Sequence, residues 1–181
     1  WHDIHDAPSA SVSPTMREVK LAGQLDLLDR FGNQWLLKGS YGGFDGTAPA
    51  QWKSWLGDHG SLRGYNAGEL TGDTGMHASL DTRFGFDLFQ ATRVPVLKNW
   101  GLQSIGFVDW GKTWDEAKRP PGADNGLEGA RGWRMDAGFG FGKRFDVPGL
   151  GAFNNVRFYA AHPIFDGSEG HGWRALLAFE K

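Results

Sequence analysis

The sequence predicts an all-β chain, an antiparallel meander of about seven strands forming part of a transmembrane β-barrel, with one long loop folding into the lumen. Three observations predict it. Side chains alternate in long runs, most cleanly with Met76, Ala78, Leu80, Thr82, Phe84, Phe86 and Leu88 against His77, Ser79, Asp81, Arg83, Gly85 and Asp87. On a helix these residues would scatter charge around the whole circumference, so the period selects a strand. The 181 residues hold 28 glycines, nine tryptophans and 13 phenylalanines, a profile of strands and turns. Short turns also alternate with long polar connections, the asymmetry of a barrel with short turns on one side of a membrane and longer loops on the other.

Residues 1–16 read as an irregular loop or tail with Pro8 and Pro14. His2 and His5 stand close together there, but nothing nearby fixes a metal geometry. The barrel portion is expected over 17–181. Val19, Leu21, Leu25 and Leu27 alternate with Lys20, Gln24 and Asp26, giving a strand over 19–29. A turn at Phe31-Gly32-Asn33 leads to a second strand over 34–43, with Trp35, Leu37 and Tyr41 on one face. Further strands are expected over 76–88, 103–114, 132–145, 153–162 and 172–180. Connections containing Pro95, Pro120, Pro121 and Gly122, the turn 146–151 and the polar segment 166–172 separate them. On the fifth strand Gly138, Gly140 and Gly142 fall on the polar face, where they are expected to leave room for a neighbouring loop.

The direction of the apolar face separates two readings. In a soluble sandwich it is the core; in a membrane barrel it meets lipid, while the polar face lines the lumen and aromatics gather near strand ends. Trp35, Trp110, Trp114, Trp133 and Trp173 lie mostly toward strand ends on the apolar face, which favours the barrel. No apolar run reaches the length of a membrane-spanning helix, a statement that leaves strands untouched. The formal net charge of -2, with no basic run, speaks against nucleic acid. With no cysteine there is neither a disulfide framework nor a thiolate metal site.

The longest stretch without a period, residues 45–75, contains Gly60-Ser61-Leu62-Arg63-Gly64-Tyr65. An arginine among glycines and aromatics in so long a loop needs a partner. Asp81 and Asp109 fall on the polar face of two later strands, so the loop is expected to fold back and be pinned there through Arg63.

Leu62-Arg63-Gly64-Tyr65 with Gly68-Glu69-Leu70, then Ala78-Ser79-Leu80-Asp81, then Phe107-Val108-Asp109-Trp110-Gly111 resembles, in residues, order and spacing, the carboxy-terminal part of BamA/TamA-type outer-membrane insertase barrels, the bacterial surface antigen family. The resemblance covers residues 57–179 well and 19–44 more weakly. It implies an outer-membrane barrel that inserts or translocates other polypeptides. It also implies a lumen-loop lock in which the motif arginine, here Arg63, meets the acids Asp81 and Asp109 and the aromatic Phe107, with Leu62, Gly64 and Tyr65 completing the loop motif. The partners so implied are outer-membrane lipid, client outer-membrane or secreted polypeptides, and amino-terminal barrel strands and periplasmic domains of the same protein.

Barrels of that family have more strands than this chain supplies, so the chain is expected to be the carboxy-terminal piece of a longer protein. It also runs past Phe179 to Glu180-Lys181, where family members usually end in an aromatic residue. A barrel that anchors a separate enzyme or surface domain, and a soluble tryptophan-rich carbohydrate-binding sandwich, are the alternative functions. No enzyme, cofactor or metal is expected. Gly72-Asp73-Thr74-Gly75 contains the Asp-Thr-Gly of aspartic proteases but has no second copy, and that chemistry needs two carboxylates. Glycines at 138, 140 and 142 open no helix, unlike a dinucleotide fingerprint.

Overall fold

The computed structural model describes residues 17–44, 52–86, 94–95, 101–115, 132–144, 155–165 and 172–180. The tail at 1–16 with His2 and His5, the Pro120–Gly122 connection, the turn 146–151 and residues 166–171 lie outside them. Among the described residues nine strands form: β1 (Glu18–Leu28), β2 (Gln34–Phe44), β3 (Ser54–Leu56), β4 (Leu70–Gly72), β5 (Thr74–Arg83), β6 (Gln103–Trp114), β7 (Gly132–Arg144), β8 (Asn155–Phe165) and β9 (Arg174–Glu180).

The seven long strands form one open antiparallel sheet ordered β1-β2-β5-β6-β7-β8-β9, as the alternation requires. A strand with one apolar and one polar face pairs best with its chain neighbour when the connection permits a hairpin. The short ribbon β3–β4 was not foreseen, since strands of three residues are too short to show a period.

One boundary differs materially. The strand expected over 76–88 runs from Thr74 and stops at Arg83. The Phe84 N–H still donates to the Ser104 carbonyl at 3.0 Å, but the Gly85 N–H turns away to the Asn33 side chain at 3.0 Å. The backbone there packs onto the β1–β2 turn, where a Cβ on Gly85 would sit 2.7 Å from the Gly32 carbonyl carbon.

The two faces differ as the alternation predicts. Phe86, Phe139, Phe158 and Leu177 are exposed on the outer face, with Phe84, Trp110 and Phe141 half-buried among them. None of these side chains joins a buried cluster. The opposite face carries Ile105, Phe107, Tyr159, Ala161 and Ala178 as one buried cluster, and the loop between β3 and β4 covers its neighbourhood with a second, Leu56, Leu62, Tyr65 and Leu70.

The glycine row of β7 serves a different purpose from the one expected. Gly138, Gly140 and Gly142 admit side chains of the flanking strands rather than the loop. A Cβ on Gly138 would lie 2.6 Å from Phe107 Cζ, one on Gly140 2.7 Å from Tyr159 Cδ1, and one on Gly142 3.3 Å from Arg157 Cγ. Phe107 from β6 and Tyr159 from β8 lean over this bare stripe and meet edge to face, ring centroids 5.6 Å apart.

Candidate functional site: a loop docked on the sheet

The loop that carries Arg63 is built as a closed unit before it meets the sheet. β3 and β4 pair at its base, Ser54 with Gly72 and Leu56 with Leu70. Above them the Gly68 N–H reaches the Gly57 carbonyl at 3.3 Å, and Asp58 and Tyr65 donate to the Leu62 carbonyl at 3.2 and 3.1 Å. Short polar side chains supply the rest, as turn chemistry demands. Ser61 Oγ accepts from the Gly57 N–H at 2.9 Å, Asp58 accepts from Gly60 at 2.8 Å, and Glu69 accepts from the Asn66 N–H at 2.9 Å. Gly57, at φ +100°, takes a backbone conformation that a side chain would strain.

Apolar residues of the loop then bury against the sheet. Leu62 and Tyr65 are fully buried, and Gly111 on β6 leaves space for Leu62 and Leu56: a Cβ there would stand 2.9 Å from Leu56 Cδ1 and 3.4 Å from Leu62 Cδ1. Burying a leucine or aromatic side chain contributes roughly 1.5 to 3 kcal/mol, so this cluster alone favours docking.

Between Leu62 and Tyr65 the guanidinium of Arg63 passes into the sheet face. Its Nε donates to Asp109 Oδ2 at 2.7 Å and its Nη2 to Asp109 Oδ1 at 2.7 Å, a two-pronged pairing with one carboxylate. The same Nη2 donates to Asp81 Oδ1 and, at 3.0 Å, to Ser79 Oγ. The guanidinium carbon lies 3.6 Å from the Phe107 ring centroid and 5.1 Å from that of Tyr159. Burial by itself would loosen the arginine's proton. The hydrogen bonds and charges of Asp109 and Asp81 override it, holding Arg63 more firmly protonated than a free arginine.

The structure thus brings Arg63, Asp81, Phe107 and Asp109 together, with Leu62, Gly64 and Tyr65 of the loop motif seated beside them. Three contributors went unread in the sequence. Ser79 sits two residues before Asp81 on the same face, a legible signal. For Asp136 and Tyr159 alternation gives the face but not the partner, because the register that sets Asp136 opposite Asp109 and the inclination of Tyr159 toward Phe107 exist only in the folded sheet. Among the described residues no group of three or more His, Asp or Glu side chains is placed to hold a metal.

No protein-family model and no curated protein matches the chain in sequence. Among solved structures, CdiB from Acinetobacter baumannii is similar with a TM-score of 0.58 at 15% identity, over 91% of this chain and 26% of that one. This chain therefore corresponds to a minor part of that protein's length. At this identity the likeness is one of architecture, and it shows that the all-β antiparallel sheet of this chain has the fold of the matching part of CdiB.

Proposed function

We propose that this chain is the carboxy-terminal part of an outer-membrane β-barrel that inserts or translocates other polypeptides, and that the Arg63 loop is the lumen element on which that activity depends. The observation that carries the reading is the seating of one arginine against two buried carboxylates and an aromatic ring, at the face opposite the exposed apolar side chains. A solvated surface arginine gains little from such contacts. A buried, hydrogen-bonded one holds a loop in a single place. The likeness to CdiB supports the reading of a transport or assembly barrel. Lipid on the outer face and client chains on the lumen side are the partners this reading assigns.

The test uses the full-length protein that carries this sequence. Arg63→Ala removes the cation from Asp81 and Asp109, and breaking one partner of a buried ion pair costs about 3 to 5 kcal/mol. The expected result is rapid protease cleavage within residues 57–70 and loss of client insertion or secretion, while the strands persist, because their backbone ladders do not involve the loop. Exchanging charges with Arg63→Asp and Asp109→Arg should restore part of both. A protein that keeps full transport activity with the loop released would overturn the proposal.

A further inference from the structure

We propose that Asp136 is a positioning residue for the loop, one that reads the glycine after Arg63 and extends the loop's grip to a third strand. This rests on the loop reading above. Asp136 lies in the middle of β7, fully buried, and its Oδ2 accepts the Gly64 N–H at 3.0 Å. The loop amide of Gly64 is thus a donor that Asp136 holds. A buried carboxyl group is costly unless it is hydrogen-bonded, which makes that amide part of what the fold requires of the loop.

Geometry makes the contact selective. A Cβ on Gly64 would stand 2.7 Å from the Cβ of Asp136 and 3.2 Å from the Pro163 nitrogen on β8, so only glycine lets the backbone come near enough to donate. Asp136 also pairs in register with Asp109, so the acid that holds Arg63 and the acid that holds the next residue face each other across one ladder. One residue further on, the Tyr65 hydroxyl donates to the Met135 carbonyl at 3.3 Å. Consecutive loop residues therefore grip different strands: Arg63 takes β5 and β6, and Gly64 and Tyr65 take β7. The loop is a brace across three neighbouring strands, with Asp136 as the anchor of its second half.

Hydrogen–deuterium exchange of a peptide covering residues 62–66, in the full-length protein in lipid nanodiscs, tests this without reference to transport. Failure here is thus distinct from failure of the proposed function. Asp136→Ala should accelerate exchange at the Gly64 amide about tenfold, the upper end of what one buried hydrogen bond supplies. Asp136→Asn keeps an acceptor oxygen at the same place and should stay within about threefold of the unmodified protein, a rescue that a purely space-filling role would not give. If Asp136→Ala leaves Gly64 protected, or Asp136→Asn exchanges as fast as Asp136→Ala, the proposal is overturned. Should Asp136→Ala not assemble, the unmodified protein still decides: Gly64 must exchange far more slowly than the exposed Gly60, whose amide donates to Asp58, and equal rates would overturn the assignment.

Discussion

Arg63 is held by its ion pairs, but its surroundings are prepared by residues with no side chain at all. Bare backbone at Gly138 and Gly140 lets Phe107 and Tyr159 tilt together and present their rings to the guanidinium. A methyl group at Gly138 would press on Phe107 Cζ and on the backbone of β8, neither of which can swing aside like a flexible side chain. Gly138→Ala is therefore expected to destabilise the sheet by about 1 to 3 kcal/mol, the usual cost of overpacking. Gly23→Ala on β1, where a Cβ meets nothing within 4 Å, should be close to neutral. Urea unfolding of the two variants in detergent micelles checks the contrast, and equal losses would refute the proposed role of the glycine row.

At the scale of elements, the β1–β2 hairpin shows how one carboxylate can fix a turn. Asp29 accepts from the Phe31 N–H at 2.8 Å, the Asn33 N–H and side chain at 2.9 Å each, and the Trp35 indole at 3.1 Å. Desolvation of Asp29 opposes ionisation, but the hydrogen bonds from Asn33, Trp35 and Phe31 together outweigh it and hold the carboxyl at about 2, below its ordinary 3.8. A carboxylate with a depressed folded value stabilises the fold above its unfolded value. Its contribution is thus fully present above about pH 4 and is lost as the pH falls through about 2. The NMR shift of the Trp35 indole proton should follow this titration with a midpoint near 2, and in Asp29→Ala it should not titrate there. A midpoint near 4 would show that the turn does not grip the carboxylate.

Across the whole molecule the sheet has a dry side and a greasy side, and they are not the same. The loop-bearing face buries Asp81, Asp109, Asp136, Arg63 and Arg157, whereas the outer face leaves Trp35, Phe139, Phe158, Trp173, Leu177 and Phe179 exposed. A water-soluble protein rarely leaves so much apolar surface open, while a barrel wall in lipid must. Phe139→Lys should then cost about 2 to 4 kcal/mol when the full-length protein folds into phospholipid bilayers, the range for a lysine facing lipid near the midplane. Ser40→Lys, on the opposite face, should cost far less. Equal penalties in urea titrations would mean that the outer face does not meet lipid.

What the sequence determined by itself is whatever repeats locally. The period of two placed all seven long strands and assigned Asp81 and Asp109 to one face, because alternation is a property of each strand alone. The motif around Arg63 was legible for a related reason: an arginine set among glycines and aromatics in a long loop needs an opposite charge, and Asp81 and Asp109 lay on one face of the later strands. Tertiary structure alone decided the rest. Whether the glycines of β7 receive a loop or the aromatics of their neighbours depends on which strands flank β7 and how their side chains lean. That Asp136, rather than another acid, reaches Gly64 depends on a register in which a slip of one residue would turn it to the opposite face. Contacts between residues far apart in the chain are set by pairing geometry, and no local pattern of residues encodes it.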